Sequence, residues 1–317
     1  MMQKWTKHPG EPITIAFLIF DQFSNLCMSN CLEPLRAANS VTRGHQFDWM
    51  IFTLDGSAVQ SSSGIQVLPH AALASLSQAD YLFVHASYEH QRHDTPATRR
   101  ALGRAARKAD TVVGMDAGPW LMASAGLLSG RRATIHSDLI EPFSERFLDI
   151  SVERARDVRD GSMVTCAGAM SAMDLTLRLI SDHLGVATRL EIEDQFMQPE
   201  SGLAMPVPNH PASDPLVWRA VQLMRENIER PLPLVNLARS LSCQSRTLDR
   251  RFRAALGAPP GTVYRHLRLT EARKMLEGTF MSISEIAVRC GYESPAALAR
   301  AIRRRYGQTP SNLRARR

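Results

Sequence analysis

The chain has 317 residues, of which 44% are hydrophobic and 22% charged, so it is too apolar for a disordered protein and long enough for about two domains. Its longest apolar stretch, residues 13–20, is far shorter than the roughly 20 residues of a membrane span, and no cleavage-site pattern follows it, so we expect neither a membrane nor a secreted protein. Five scattered cysteines, an odd number, favour reduced thiols and a cytoplasmic location over a disulfide framework.

Strands and helices alternate through the first two-thirds of the chain. In chain order, the hydrophobic patterns predict a strand at 13–20, a helix at 27–40, strands at 47–53 and 81–84, a helix at 98–109, a strand at 111–115, and helices at 117–128 and 170–184. This alternation is typical of a flavodoxin-like α/β domain, in which helices cover both faces of a mainly parallel sheet. Ligands of such sheets bind beyond the carboxyl ends of the strands.

A proline-rich segment separates this region from the rest of the chain. Five prolines lie in residues 199–215, which excludes a helix over most of this segment and predicts an extended linker over residues 199–213. The sequence therefore predicts one domain at 1–198 and a second at 214–317.

The two predicted domains carry opposite net charge. Residues 214–317 hold 20 Lys and Arg against 8 Asp and Glu, whereas residues 1–213 hold 18 against 23. A basic last third indicates a polyanion-binding module, although a basic surface also suits a membrane or simply keeps a domain soluble.

The basic region contains an internal repeat and no pattern typical of strands. The apolar positions Leu237, Leu248 and Phe252 recur as Ile286, Leu298 and Ile302, 49 residues later before the turn and 50 after it. Each copy reads as a short helix, a turn and a second helix that stops at a Gly, so we predict an all-α domain with helix-turn-helix units at about 234–255 and 283–305, joined by a helix over 262–277.

The second helix of each unit presents a stripe of outward residues opposite its buried pair. These candidate DNA contacts are Gln244, Ser245, Arg246, Asp249 and Arg250 in the first unit, and Pro295, Ala296, Arg300, Arg303 and Arg304 in the second. Arg and Gln can hydrogen-bond base edges in the major groove, so we expect the first surface to read bases. The second has fewer polar readers and is expected mainly to hold phosphates. For any single Arg, a solvated helix face is the competing interpretation.

These motifs closely resemble the DNA-binding domain of AraC/XylS transcription regulators. The resemblance covers about 85 residues and rests on Leu237-Ala238, the Ser245–Arg253 helix, Gly257, Pro260, Ile286-Ala287, Cys290-Gly291-Tyr292, Gly307 and Pro310. It implies that both recognition helices enter successive major grooves of double-stranded DNA, and that an activator would also contact RNA polymerase. Leu298 and Ile302 stand where the family usually has Phe.

Three residues of the acidic region could form a catalytic or ligand-binding set. Asp116 is the middle residue of a Gly114-x-Asp116-x-Gly118 strand–turn–helix elbow, His136 closes a short apolar run, and Glu33 lies in the first predicted helix. Each has a plainer interpretation: Asp116 as a helix N-cap, His136 as a buried structural histidine and Glu33 as a surface charge. His85, His90 and His93 match no metal-site spacing and are interpreted as a polar loop.

Residues 10–197 resemble the PfpI-like, class I glutamine-amidotransferase-like domain that precedes the AraC domain in the GlxA group of regulators. The matching segments include residues 33–39, 125–136 and 165–168. Active members of that fold carry Cys at the elbow, where this chain has Asp116, so the resemblance implies a sensor without catalysis, cofactor or metal.

The resemblance further implies a homodimer formed through this domain and an amino-acid-derived effector. Because a partly desolvated carboxylate is unfavourable without a partner, we predict an effector with an amine or quaternary ammonium group near Asp116, with Glu33 and His136 lining the same pocket. We expect a transcription regulator, more an activator than a repressor. The alternatives are a hydrolase with a DNA-binding tail and a constitutive architectural DNA-binding protein whose first domain serves only for dimerisation.

Overall fold

The computed structural model describes residues 11–42, 44–196 and 214–315. Its contacts divide the chain into two compact units, Met1–Ile180 and Ser181–Arg317, with the boundary inside a helix. The predicted linker at 199–213 lies outside the described residues, and the predicted domain bounds stay a prediction.

The first unit is built on strands and helices that alternate along the chain. They are β1 (Ile13–Ile19), α1 (Asn25–Thr42), β2 (Phe47–Thr53), β3 (Val59–Gln60), β4 (Gln66–Val67), β5 (Ala71–Ala72), β6 (Ala79–Ala86), α2 (Pro96–Ala106), β7 (Ala109–Asp116), α3 (Gly118–Ser124), β8 (Arg132–Ala133), α4 (Ile140–Arg146), β9 (Ser151–Val152), β10 (Asp157–Asp160), β11 (Met163–Cys166) and α5 (Ala169–Leu184). The predicted α/β architecture is confirmed, and predicted and observed bounds differ most at α3, which ends at Ser124 rather than 128.

Seven strands form one sheet in the order β10-β11-β7-β6-β1-β2-β5. All neighbours are parallel except β10 and β11, a hairpin that the sequence analysis did not predict. Apolar side chains from alternate strand positions, such as Leu18, Leu82 and Val84, pack on one face against α2, α3 and α4. The carboxyl ends of β6 and β7 lie side by side, with Ala86 opposite Asp116.

The interpretation of His85, His90 and His93 as a polar loop was wrong for two of the three. His85 is a buried residue of β6 that stacks on Phe83, and burial lowers its pKa to about 3. His90 is buried in a 3-10 turn against Trp120. Hydrophobic packing around neutral imidazoles explains both positions, because burial disfavours the charged form.

The second unit is helical throughout its described part. Its helices are α6 (Val186–Phe196), α7 (Pro215–Glu226), α8 (Leu234–Ser240), α9 (Ser245–Leu256), α10 (Pro260–Gly278), α11 (Ile283–Arg289), α12 (Pro295–Tyr306) and α13 (Pro310–Arg314). Two apolar clusters form its core, one around Leu248 and Phe252 and the other around Leu298 and Ile302. Both predicted helix-turn-helix units and the joining helix are present. Within the described ranges, no helix is long and apolar enough to cross a bilayer.

Candidate ligand site and nucleic-acid interface

The elbow at the end of β7 holds Asp116 in a backbone conformation that non-glycine residues rarely adopt. Its φ is +60°, in the left-handed region. The flanking glycines are needed for close packing: a Cβ on Gly118 would lie 2.1 Å from the Val84 carbonyl oxygen, and one on Gly114 would lie 2.6 Å from Met122 Sδ. The sequence thus builds a sharp turn that displays one side chain at the carboxyl edge of the sheet.

The Asp116 carboxylate is 9% exposed and accepts a 2.9 Å hydrogen bond from Ser87 Oγ. Burial raises its pKa above the ordinary value, opposed by the Ser87 hydrogen bond and by His136. The helix-cap interpretation was wrong, because the N-cap of α3 is Ala117, which makes no side-chain hydrogen bond. Within the described residues, no Lys or Arg forms an ion pair with Asp116.

His136 lies beside Asp116, while Glu33 has other contacts. The His136 amide donates to the Asp116 carbonyl oxygen over 3.1 Å, and its ring Nδ1 accepts from the Asp138 amide over 3.4 Å. The His136 side chain is 39% exposed, so it is not a buried structural histidine. The Glu33 side chain is 40% exposed and forms a 2.7 Å ion pair with Arg36 on α1, as the surface-charge interpretation expects. The structure therefore brings two of the three predicted pocket residues into contact.

Three cysteines near the elbow are buried and protonated. Burial raises the pKa of Cys27 and Cys31 well above the ordinary value and that of Cys166 to about 12. Thiols act as nucleophiles in the deprotonated form, so these three offer no thiolate near neutral pH. All three pack as small core residues.

The recognition helices α9 and α12 bury the predicted stripe and expose the predicted arc. Leu248, Phe252, Leu298 and Ile302 are at most 1% exposed. The exposed candidates are Gln244, Ser245, Arg246, Arg250, Pro295, Ala296, Arg300, Arg303 and Arg304. Asp249 is only partly exposed and pairs with Arg253 over 2.7 Å. The arc on α9 therefore offers Arg246 and Arg250, which form no ion pair among the described residues, and the Gln244 amide at the start of the helix.

A groove of about 540 Å³ lies elsewhere in the second unit, between α6, α7, α10 and α11. It is lined by charges of both signs, including Glu191, Arg225, Glu271 and Lys274. None of the predicted site residues lines it.

Comparisons with known proteins match both units. A helix-turn-helix domain model matches residues 237–316, and the DJ-1/PfpI family model matches residues 13–182. The HTH-type transcriptional regulators CdhR of Pseudomonas aeruginosa and GlxA of Rhizobium meliloti are each 33% identical, covering 94% and 95% of this chain and 90% and 95% of their own lengths.

The chain belongs to the GlxA-type AraC regulators, with a DJ-1/PfpI domain in front. A crystal structure of an AraC family regulator from Pseudomonas putida aligns with 59% of this chain over 100% of the length of the crystallised chain, at a TM-score of 0.52 and 24% identity. This match supports the fold of the first unit. The relatives that match this chain over most of its length are named transcriptional regulators, although the DJ-1/PfpI family also includes enzymes.

Two features of this GlxA-type regulator were missed from its sequence. Ser87, the hydrogen-bond partner of Asp116, is 29 residues away and carries no motif. Helix α6 lies in residues that the sequence analysis assigned to the first domain, yet its contacts group it with the second unit. Only the pairing of β6 with β7 and the packing of α6 on α10 reveal these neighbours.

Proposed function

We propose that the protein is a cytoplasmic, ligand-responsive DNA-binding regulator whose first unit is a sensor rather than an enzyme. The observation that carries this proposal is the buried Asp116 carboxylate, which has one hydroxyl donor and no Lys or Arg partner among the described residues. A partly desolvated carboxylate is unfavourable unless it is paired or hydrogen-bonded. A ligand with an amine or quaternary ammonium group would supply the missing positive charge.

His136 would form a second side of the ligand site that we propose at Asp116. Its ring is partly exposed and its backbone is tied to the Asp116 carbonyl, so it can contact a ligand without losing its position. Glu33, held by Arg36, would contribute only if a ligand extended towards α1. We infer no catalytic step, because an elbow carboxylate replaces the thiol and the nearby cysteines are protonated.

The ligand part of the proposal is tested with Asp116→Asn. Asn tolerates the left-handed backbone and can still accept the Ser87 hydrogen bond, so the variant should fold. Thermal-shift measurements with primary amines, amino acids and quaternary ammonium compounds, each beside an uncharged isostere, should find cations that raise the unfolding temperature of the wild type only. A cation that stabilises both proteins equally would show that Asp116 does not hold it.

The same substitution has an expected effect on stability. The raised pKa means that the folded protein holds the Asp116 proton more tightly than the unfolded chain, so ionisation destabilises the fold as pH rises above about 3.9. Asp116→Asn removes this titration. Without ligand it should be more stable than the wild type at neutral pH by roughly 1 kcal/mol, with the difference vanishing at acidic pH. Unfolding midpoints between about pH 4 and 8 measure it.

The DNA-binding part is tested separately by selection of duplexes from a random library. We expect a repeated site, because we propose that the protein is a homodimer through its first unit and binds two half-sites. Sedimentation of the full chain at tens of micromolar should give twice the mass of one chain, and a monomer would contradict this. An activator would also raise transcription by RNA polymerase from a promoter carrying the selected site. Turnover of amide or ester substrates that Asp116→Asn abolishes would instead favour the hydrolase alternative.

A further inference from the structure

Helix α6 connects the two units by chain continuity but packs inside the second. Helix α5 begins in the first unit and ends in the second, and Gly185, with φ +82°, separates it from α6. Val186 and Leu190 of α6 share one apolar cluster with Val217 and Val221 of α7. The helix is therefore part of the packed DNA-binding unit.

A buried ion pair fixes α6 to the central helix α10. The Arg273 guanidinium lies 3.5 Å from Glu191, and the two side chains are only 9% and 11% exposed. Arg273 also bonds Glu277 over 3.0 Å and lies over the Tyr306 ring. A buried pair of this kind contributes little net stability, but it demands one geometry, because a displaced partner leaves an uncompensated charge.

The same helix also contacts the end of the second recognition helix. Arg305 in the last turn of α12 donates from Nη2 to Thr188 Oγ1 over 3.3 Å, and its guanidinium lies 5.4 Å from the centre of the Tyr306 ring. Its neighbours Arg303 and Arg304 are exposed on the same turn. One face of α6 therefore reaches both the side chain that anchors α10 and the turn that carries the phosphate-contact candidates.

We propose that Thr188 and Glu191 are positioning residues for DNA binding: without touching DNA, they hold the last turn of α12 at the orientation in which Arg303 and Arg304 meet the phosphates. This positioning role involves no ligand, so it can be tested independently of the proposed sensing at Asp116.

Substitutions in the full chain test this role. Thr188→Val keeps the shape but removes the acceptor for Arg305 and the 3.2 Å hydrogen bond that Thr188 Oγ1 donates to the Leu184 carbonyl oxygen, and Thr188→Ser restores both. Glu191→Gln removes the charge facing Arg273. Its matched control is Glu193→Gln, whose ion pair with Arg189 lies within α6 itself. Fluorescence anisotropy would measure Kd for a duplex selected by the wild-type protein and for a random duplex of equal length.

In titrations over a range of salt concentrations, we expect Thr188→Val and Glu191→Gln to weaken binding to both duplexes by about tenfold and to lower the salt slope as the loss of a phosphate contact does, with Thr188→Ser and Glu193→Gln unchanged. A merely structural role would lower the fraction of folded protein without changing the salt slope. An unchanged salt slope, a loss on the specific duplex alone, or no loss in folded variants would overturn the proposal. If circular dichroism shows that Glu191→Gln unfolds the unit, the Thr188 pair decides the question.

Discussion

The two helix-turn-helix units share one topology but are stabilised by different local interactions. In the second helix-turn-helix, Ser282 and Glu285 form a capping box at α11, and Ser294 caps α12 through the Ala297 amide. In the first helix-turn-helix, the equivalent N-cap residues Pro233 and Gln244 make no side-chain cap hydrogen bond. The repeat therefore preserves the core and the turn, while the helix ends have diverged.

The turns differ in the same way. Ser242 and Gly291 occupy equivalent positions, 49 residues apart, and both adopt a left-handed conformation. Ser242 is exposed, but a Cβ on Gly291 would lie 2.6 Å from Pro231 Cδ and 2.7 Å from the Ile228 carbonyl oxygen. The turn of the second helix-turn-helix is packed against the loop that precedes the first helix-turn-helix. Backbone conformation thus permits a side chain at both turns, and tertiary packing forbids it at one.

Exchanging the two turn residues should give the largest difference. Gly291→Ser combines left-handed strain with a clash against backbone and should destabilise the second unit by roughly 3 kcal/mol or more. Ser242→Gly relieves strain and should change stability by less than about 1 kcal/mol. Trp218 is the one tryptophan in residues 181–317, so its fluorescence follows urea unfolding of this part of the chain once Trp5, Trp49 and Trp120 are replaced by Phe in both variants. Similar midpoints for the two variants would show that packing at the second turn does not matter.

The recognition arcs should separate base reading from phosphate binding. Arg250→Ala in the first helix-turn-helix is expected to weaken specific binding by roughly 1–3 kcal/mol and to relax the base preference at one or two base pairs. Arg304→Ala in the second helix-turn-helix should weaken binding to all sequences alike and lower the salt slope of the binding constant by about 1. Anisotropy titrations over a range of salt concentrations test both. Equal loss for Arg250→Ala on specific and random DNA would contradict the assignment.

Removal of the caps should affect only the second helix-turn-helix. Ser282→Ala and Ser294→Ala each leave a helix-terminal amide without its acceptor and should destabilise the unit by about 1 kcal/mol. Gln244→Ala removes no cap and should leave stability nearly unchanged while weakening specific DNA binding. Urea midpoints and anisotropy on the same three proteins make the comparison, and an equal loss of stability in Gln244→Ala would show that its amide supports α9 after all.

The smallest expected effect is a pH dependence carried by the capping box. Hydrogen bonding from the Ser282 backbone and hydroxyl lowers the pKa of Glu285. Its stabilising contribution is therefore present above the unfolded-state pKa of about 4.3 and is lost as pH falls through the lower folded-state value. Glu285→Gln keeps an acceptor and does not titrate. Its stability difference from wild type should shrink between about pH 6 and 3, and a constant difference would exclude the linkage.

Local sequence determined the elements that depend on neighbours along the chain. The 3.6-residue periodicity around Leu248, Phe252, Leu298 and Ile302 sufficed to predict which helix faces are buried and which arginines are exposed. The spacing of Gly114, Asp116 and Gly118 likewise predicted a turn that displays one carboxylate, since these glycines act within five residues.

Tertiary structure decided which distant groups meet. Sheet pairing of β6 with β7 brings Ser87 to Asp116, whereas Glu33 remains with Arg36. Helix packing brings Glu191 to Arg273. The loop before the first helix-turn-helix requires glycine at position 291, whereas nothing comparable requires it at position 242. These contacts join residues from different elements, so no periodicity or spacing along the chain encodes them. They depend on the register and packing that the whole fold selects.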